Sequence, residues 1–152
     1  MSLVQEPDYG TPESKSEKMV TLTIDGQKVT APEGTSIMRA AMEAGIKVPK
    51  LCAYDMVESF GSCRVCLVEI EGRAGLPASC TTPVQDGIKV TTQSERLGKI
   101  RRNVMELYAS DFPADDETPS EMQEMIRLVG LAENRYGRDG VNHLAATLDN
   151  SN

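Results

Sequence analysis

Four cysteines constrain this chain more than any other feature of its 152 residues. They are Cys52, Cys63, Cys66 and Cys80, and the sequence contains no others. The spacing is Cys-x10-Cys-x2-Cys-x13-Cys, so the two inner cysteines are close in sequence and the outer two are distant. The fold must therefore bring the outer cysteines back to the inner pair before all four thiolates can bind one group.

A [2Fe-2S] cluster fits this spacing best, because each iron takes two thiolates and the ligands can come from one long loop and one remote strand. A structural zinc site more often has two short Cys clips, or one clip with a histidine pair. This chain has one clip and a single histidine, His143, which we expect on an exposed loop. A thioredoxin-like dithiol needs its Cys-x-x-Cys at a helix N-terminus, whereas Cys66 leads into the alternating run VCLVEIEG. Zinc, dithiol and disulfide remain the alternatives.

The residues around the Cys-x-x-Cys offer what such a cluster needs besides thiolates. Four thiolates on a [2Fe-2S] core leave a net charge of about −2, so nearby backbone N–H groups and positive charges tune its potential. We expect Gly61 to allow close backbone approach, Ser62 to add a hydroxyl donor and Arg64 to add positive charge between two ligands. An ordinary turn glycine is the alternative for Gly61.

The segment before the cysteines predicts a β-hairpin and then a short helix. β-Branched residues flank the Asp-Gly dipeptide at 25–26, which is a strong hairpin signal. The two strands are predicted at 19–24 and 27–31. In GTSIMRAAMEAGIKVP, Thr35 or Ser36 can cap a helix that ends near Gly45. Its alanines predict close packing of the helix on a sheet.

The cysteine region and the strands after it complete an α+β pattern. Residues 50–64 lack periodicity and predict a loop, while VCLVEIEG predicts a strand. Further short strands are expected at 76–80 and 88–92. Periodicity alone gives an α+β class. The element order, with a metal-binding loop after the helix, predicts a ferredoxin-like β-grasp domain in which one helix packs on a mixed sheet of about five strands.

A long helix is predicted from Ser94 onward. Its apolar face is predicted to carry Leu97, Ile100, Val104, Leu107 and Tyr108. The basic residues Lys99, Arg101 and Arg102 are expected on a solvated face.

An acidic segment then leads to a second predicted helix, with Thr118 as its N-cap in a capping box with Glu121. Its apolar stripe, predicted to be a docking or core face, consists of Met122, Met125, Ile126 and Val129.

Composition and charge set the remaining expectations. Residues 1–17 are polar and aperiodic, so we expect a disordered or partner-bound tail, followed by a [2Fe-2S] domain at 18–93 and a helical extension at 94–152 that lacks a cluster. The formal charge of −7 argues against nucleic-acid binding. No apolar run approaches the ~20 residues of a membrane span, and the N-terminus lacks a signal-peptide core. We therefore expect a cytoplasmic protein with no nucleic-acid partner and no membrane insertion.

The motifs PKLCAYD, FGSCRVCLVEI, PASCTTPV and RRNVMELYASD together resemble a known family. They are similar to the N-terminal [2Fe-2S] ferredoxin-like domain of the alpha (molybdenum) subunit of NAD-dependent formate dehydrogenases. Related domains occur in the large peripheral subunit of complex I, in diaphorase subunits of NAD-reducing hydrogenases and in iron-only hydrogenases. The resemblance spans roughly residues 18–145. It implies a β-grasp fold, a cluster on all four cysteines and a one-electron relay between other cofactors.

The resemblance is interrupted after ELYASD. The family continues there with a histidine and three cysteines that bind a [4Fe-4S] cluster, whereas this chain has DFPADDETPSEMQEM, with Phe112 at the position of the histidine. The similarity resumes at VGLAENRYGRDGVNH. We therefore expect no [4Fe-4S] cluster in this chain, and we expect Phe112 to fill the space with an apolar side chain.

The residues and the resemblance together predict an electron-transfer protein or subunit that carries one [2Fe-2S] cluster and has no catalytic centre of its own. The expected partners are other subunits of a redox complex, namely a flavin- and NAD-binding diaphorase subunit and a molybdenum or other iron–sulfur subunit. A non-redox assembly module with a structural metal site is one alternative. A fragment of a longer enzyme subunit is another.

Overall fold

The computed structural model describes residues 7–112 and 120–136. Four strands and three helices follow one another in the order ββαββαα. The strands are β1 (Met19–Ile24), β2 (Gln27–Pro32), β3 (Glu69–Ile70) and β4 (Lys89–Thr91). The helices are α1 (Ile37–Glu43), α2 (Glu95–Asp111) and α3 (Glu121–Leu128).

The β1–β2 hairpin is confirmed, and its turn explains why the sequence signal was strong. Asp25 and Gly26 both have positive φ, 49° and 81°, as a two-residue type I′ turn requires. Aspartate tolerates this region and glycine has no Cβ to strain. The turn places Ile24 opposite Gln27 and so fixes the antiparallel register of the hairpin.

The sheet has the order β2-β1-β4-β3, with β1 and β4 parallel and the other neighbours antiparallel. This mixed sheet with α1 against it confirms the α+β, β-grasp prediction. The described residues form four strands rather than about five, because the segment predicted as a strand at 76–80 pairs only through an isolated bridge between Leu67 and Ala78. Pairing ends there because the chain turns, with the Thr81 N–H donating to the Ala78 carbonyl at 3.2 Å.

Helix α1 has the predicted N-cap serine and C-terminal glycine. The Ser36 side chain is the N-cap and accepts from the Arg39 N–H at 3.0 Å, and Gly45 follows the helix with φ of 81°. The core lies between this helix and the sheet. Its fully buried side chains include Leu22, Ile24, Ile37, Met38 and Leu97.

The end of the predicted tail packs on the domain. We call residues 8–13 the N-terminal strap. The buried guanidinium of Arg39 donates to the Thr11 carbonyl at 2.6 Å and to the Glu13 carboxylate at 2.8 Å. The Asp8 carboxylate pairs with Lys50 Nζ at 3.3 Å. These contacts tie the strap to α1 and to the chain just before Cys52.

Helix α2 begins after the N-cap Ser94, as expected, but its buried face differs from the prediction. Leu97 is buried, whereas Leu107 is 55% exposed. The buried positions are Leu97, Arg101, Met105, Glu106 and Ala109. The expectation that Arg101 lies on a solvated face is therefore wrong, because four-residue spacing places it on the same face as Leu97 and Met105.

Helix α3 also starts at a different residue from the one predicted. Its N-cap is Ser120, whose hydroxyl accepts from the Gln123 N–H at 3.3 Å, rather than Thr118. The same Ser/Thr-x-x-Glu/Gln pattern recurs two residues later in the sequence, and the later copy caps the helix. Thr118 and His143 lie outside the described residues.

The predicted methionine stripe packs inward, as a core face. Met125 of α3 and Val129, the C-cap of that helix, are buried with Met105 of α2 and with Cys63 and Val65. These residues form a second hydrophobic cluster beside the cysteine loop. No helix within residues 7–112 and 120–136 is both long and apolar enough to cross a membrane.

Candidate metal centre

The four cysteines lie in the chain between α1 and β4, and all four are free thiols that form no disulfide bond. Cys63, Cys66 and Cys80 are buried, and Cys52 is partly exposed. The segment that carries Cys63 and Cys66 lies between the main core and the second hydrophobic cluster. The thiols are therefore shielded from water on most sides, with one open edge at Cys52.

Cys52 and Cys63 form the first thiol pair. The Cys63 N–H donates to Cys52 Sγ at 3.4 Å. Burial raises the pKa of the Cys52 thiol, but hydrogen bonds from Cys63 and Ser62 outweigh burial and lower it overall. Burial raises the pKa of Cys63. Donors aimed at Cys52 thus favour its thiolate form, which is the form that binds metal.

Cys66 and Cys80 form the second thiol pair, deeper in the fold. A hydrogen bond from the Cys80 thiol lowers the pKa of Cys66 to about 6, against the effect of burial. The same hydrogen bond raises the pKa of Cys80. The Cys66 carbonyl accepts from both the N–H and the hydroxyl of Ser79, at 3.2 and 2.8 Å, which holds the two cysteine segments side by side.

The two pairs are close enough to influence each other, since charge on Cys52 and Cys63 also raises the pKa of Cys80. In the part of the chain that the structure describes, no three histidine, cysteine or acidic side chains are grouped around the position of a single ion. Hydrogen bonds link the thiol residues in two pairs, Cys52 with Cys63 and Cys66 with Cys80. Such a set fits a binuclear group in which each metal takes two thiolates, as in a [2Fe-2S] cluster.

The other predicted site residues lie at the first thiol pair. Gly61 is buried with φ of 69°, and a Cβ there would lie 3.2 Å from Thr81 Cγ2, next to Cys80. Hydrogen bonding from Ser62 lowers the pKa of the Cys52 thiol. Arg64 is exposed and has an unusual φ of 58°, and its Nη1 lies 3.5 Å from the Gly61 carbonyl. The positive φ at Gly61 and the close approach to Thr81 both favour glycine at this position.

The helices after the sheet cover this first pair. The Tyr108 hydroxyl of α2 donates to the Cys63 carbonyl at 3.2 Å. Phe112 and Met122 line the same surface depression, of about 490 Å³, as Cys52 and Cys63. Phe112 therefore contributes apolar surface beside the thiols.

Tyr54, in the cysteine loop, donates to the Glu121 carboxylate of α3 at 2.6 Å. This carboxylate raises the pKa of Tyr54 to about 12. Neither residue's role at the site was predicted from the sequence, because the two lie 67 residues apart and no local pattern links them.

Arg101 is a third residue near the site whose role was not predicted from the sequence. Its Nη2 donates to the carbonyl of Leu67, the residue after Cys66, at 2.7 Å. The available signal was its position four residues from both Leu97 and Met105, which are fully buried.

A β-grasp domain whose loops present two thiol pairs defines a ferredoxin-like iron–sulfur domain. The chain belongs to the family of 2Fe-2S iron-sulfur cluster binding domains, which matches residues 17–95. The predicted cofactor, one [2Fe-2S] cluster, is confirmed by this membership and by the relatives that share the domain.

Several curated proteins are similar to this chain. The alpha subunit of NADPH-Fe(3+) oxidoreductase from Geobacter sulfurreducens is 44% identical over 124 residues, which are 78% of this chain and 15% of that subunit. Subunit HndD of the NADP-reducing hydrogenase from Solidesulfovibrio fructosivorans is 39% identical, over 82% of this chain and 23% of that subunit. The mitochondrial 78 kDa subunit of NADH-ubiquinone oxidoreductase from Candida albicans is 42% identical, over 70% of this chain and 15% of its own length. The chain thus spans less than a quarter of these relatives.

Among solved structures, the NAD+-reducing [NiFe]-hydrogenase in its H2-reduced state contains a similar fold. The TM-score is 0.69 at 27% identity, and the match covers 81% of this chain and 54% of the hydrogenase chain. The relationship to oxidoreductase subunits that the motifs implied is therefore confirmed.

Proposed function

We propose that this chain transfers single electrons through one [2Fe-2S] cluster bound by Cys52, Cys63, Cys66 and Cys80. It does so as a domain or subunit of a cytoplasmic NAD-linked oxidoreductase of the formate dehydrogenase type, or of the related hydrogenase or complex I type. The bound cluster would supply one-electron Fe³⁺/Fe²⁺ exchange, with no bond made or broken in a substrate.

The observation that supports this proposal most directly is the arrangement of the cysteines as two pairs. The Cys52–Cys63 and Cys66–Cys80 pairs each join a residue of the Cys-x-x-Cys to one distant in sequence. A mononuclear zinc site would need all four thiolates around one centre. Two pairs instead give each of two irons its two protein ligands.

The surroundings of the pairs suit a charge-changing group. The Cys63 backbone N–H donates to the Cys52 sulfur at 3.4 Å, and hydrogen bonding from the Cys80 segment lowers the pKa of Cys66. Such donors stabilise added negative charge without having to move, which keeps the cost of accepting an electron low. Cys52 is the most exposed of the four, so its edge is where an electron would enter or leave.

The partners that we propose are other subunits of a redox complex. The relatives are named as subunits of an NADPH-Fe(3+) oxidoreductase, an NADP-reducing hydrogenase and an NADH-ubiquinone oxidoreductase. A diaphorase subunit that binds flavin and NAD would therefore be one redox partner of this chain, as electron source or acceptor. A molybdenum or other iron–sulfur subunit would be the other redox partner.

Anaerobic reconstitution with iron and sulfide tests the cluster. We expect about two irons and two sulfides per chain, a visible sulfide-to-iron absorption and, after reduction, a rhombic S = 1/2 signal. Cys66→Ser should lose these signals, whereas Met56→Ser, a change at a highly exposed position of the same loop, should keep them. A colourless protein with one zinc per chain would overturn the proposal.

The partner assignment needs a separate measurement, because the same cluster serves several complexes. Affinity purification of the native chain followed by mass spectrometry should recover the associated subunits. Recovery with a molybdenum-containing formate dehydrogenase would support the formate assignment, and recovery with hydrogenase or complex I subunits would replace it. Loss of electron transfer with assembly intact in Cys66→Ser would favour the relay over the assembly-module alternative.

A further inference from the structure

A buried cation lies beside the thiol pairs. The guanidinium of Arg101 belongs to a residue that is only 6% exposed, on a face of α2 whose neighbours Leu97 and Met105 are fully buried. Taking a guanidinium out of water is costly unless hydrogen bonds or opposite charges compensate. Arginines at such positions are therefore rare without a specific partner.

The hydrogen bonds of Arg101 account for only part of this compensation. Its Nη2 donates to the Leu67 carbonyl at 2.7 Å, and its Nε has no hydrogen-bond partner among the described residues. The described part of the chain also contains no carboxylate in an ion pair with it. The guanidinium thus keeps a positive charge that no nearby acidic side chain cancels by direct contact.

Two negative groups act on this charge from farther away. Burial lowers the pKa of Arg101, while the Cys66 thiolate and the Asp25 carboxylate raise it. The Asp25 carboxylate is already engaged, because it accepts hydrogen bonds from the backbone N–H and the hydroxyl of Thr92. Of these two groups, Cys66 is the one that belongs to the thiol pairs.

The backbone places Arg101 next to the second thiol pair as well. Leu67 directly follows Cys66, and the Cys66 carbonyl is bound by Ser79, which directly precedes Cys80. The peptide after Cys66 is therefore held on one side by the Cys80 segment and on the other by the guanidinium from α2.

We propose that Arg101 is a positioning residue for the cluster: its guanidinium fixes the Cys66–Leu67 peptide, and its charge raises the reduction potential of the site. This rests on the cluster ligation proposed above. Reduction adds one negative charge to the thiolate-bound group. A fixed positive charge in a poorly solvated position favours the state that carries that added charge.

Potentiometric titration of the reconstituted protein tests the inference with four variants. Arg101→Gln and Arg101→Met remove the charge, Arg101→Lys keeps it, and Arg102→Gln removes an exposed charge from the same helix. We expect the two neutral Arg101 variants to lower the ratio of reduced to oxidised protein at a fixed potential by roughly tenfold, which is about 59 mV for a one-electron couple. The Lys variant and Arg102→Gln should stay within about threefold of wild type.

Cluster content, measured as iron and sulfide per chain, separates the possible outcomes. Neutral variants that keep a full cluster at an unchanged potential would overturn the inference, as would a Lys variant whose potential falls as far as that of the Gln variant. If Arg101→Met fails to fold, the comparison of Gln with Lys decides. Neutral variants that bind little cluster while the Lys variant binds a full one would support the positioning role. A wild-type chain without iron and sulfide would refute the cluster ligation itself, a result distinct from these.

Discussion

Replacing Gly10 with alanine should destabilise the loaded protein by about 2–5 kcal/mol. Gly10 has φ of 87°, and an alanine Cβ there would lie 2.4 Å from Met38 Sδ. The positive φ alone costs an alanine about 1–2 kcal/mol. Met38 is fully buried in the core, so its thioether can shift only by displacing neighbouring core side chains, and such overpacking typically adds about 1–3 kcal/mol.

Gly72→Ala is the matched control. Gly72 also has positive φ, 78°, but no atom lies within 4 Å of the position of its Cβ. This variant should therefore lose only the conformational part, about 1–2 kcal/mol. The difference between the two variants isolates the contact of the N-terminal strap with Met38.

Urea unfolding, followed by circular dichroism and by the visible absorption of the cluster, measures both variants. The strap also holds the cysteine loop, since the Gly10 carbonyl accepts from the Ser59 hydroxyl and the Asp8 carboxylate accepts from the Asp55 N–H. Gly10→Ala should therefore lose its cluster at a lower urea concentration than Gly72→Ala. Equal midpoints would show that the strap does not pack on Met38, and the reasoning would fail.

Three further predictions concern the cysteine loop and the helices. Gly61→Ala should release the cluster to a chelator faster than wild type, because a Cβ at this positive-φ position would lie 3.2 Å from Thr81; unchanged decay of the visible absorption would contradict this. Ser120→Ala should cost about 1 kcal/mol in urea unfolding, because it removes the N-cap of α3, and a neutral result would place the cap elsewhere. Arg135→Met should destabilise the protein at pH 7, because hydrogen bonds from Arg135 hold the pKa of Glu106 below its ordinary value of 4.5. A depressed pKa contributes stability that is complete above the unfolded value and is lost as pH falls through the folded value. The gap in unfolding midpoint between this variant and wild type should therefore narrow as pH falls below about 4.5, and a constant gap would refute the assignment.

The elements predicted correctly from the sequence are those whose signals are local. Asp25 and Gly26 adopt the positive φ that a two-residue hairpin turn requires, and Ser36 and Gly45 bound α1 as a cap and a terminal glycine do. Each signal depends on the conformation of one or two residues. The side chains of those residues restrict that conformation independently of the rest of the fold.

The buried face of α2 could not be predicted in this way, because its buried polar residues depend on distant partners. Arg101 donates to a carbonyl 34 residues away, and Glu106 binds Arg135, 29 residues away. A search for apolar periodicity places both residues in solvent. The cap of α3 was misplaced for a different reason, since two overlapping capping patterns compete and local sequence does not rank Thr118 below Ser120.

The sequence identifies the four cysteines as candidate ligands, but it does not predict which of them pair with each other. Spacing shows that the outer two must approach the inner two. It does not show that Cys52 meets Cys63 while Cys66 meets Cys80, because loop closure in either combination costs similar entropy. The fold decides, by placing the Cys80 segment against the Cys66 carbonyl through Ser79.

The helical extension is part of the site rather than an appendage to it. Along one short segment, Cys63 and Val65 belong to the second hydrophobic cluster with Met105, whereas Cys66 and Leu67 belong to the main core with Leu97. The two thiol pairs therefore lie on either side of a boundary between two cores, and α2 contributes to both. A boundary at 93–94 follows the change from strands to helices in the sequence, but it divides the packing that positions the thiols. Because interiors are close-packed, displacement of α2 would be transmitted directly to the segment that carries Cys63 and Cys66. The arrangement of the two thiol pairs is accordingly a property of the sheet and α2 together.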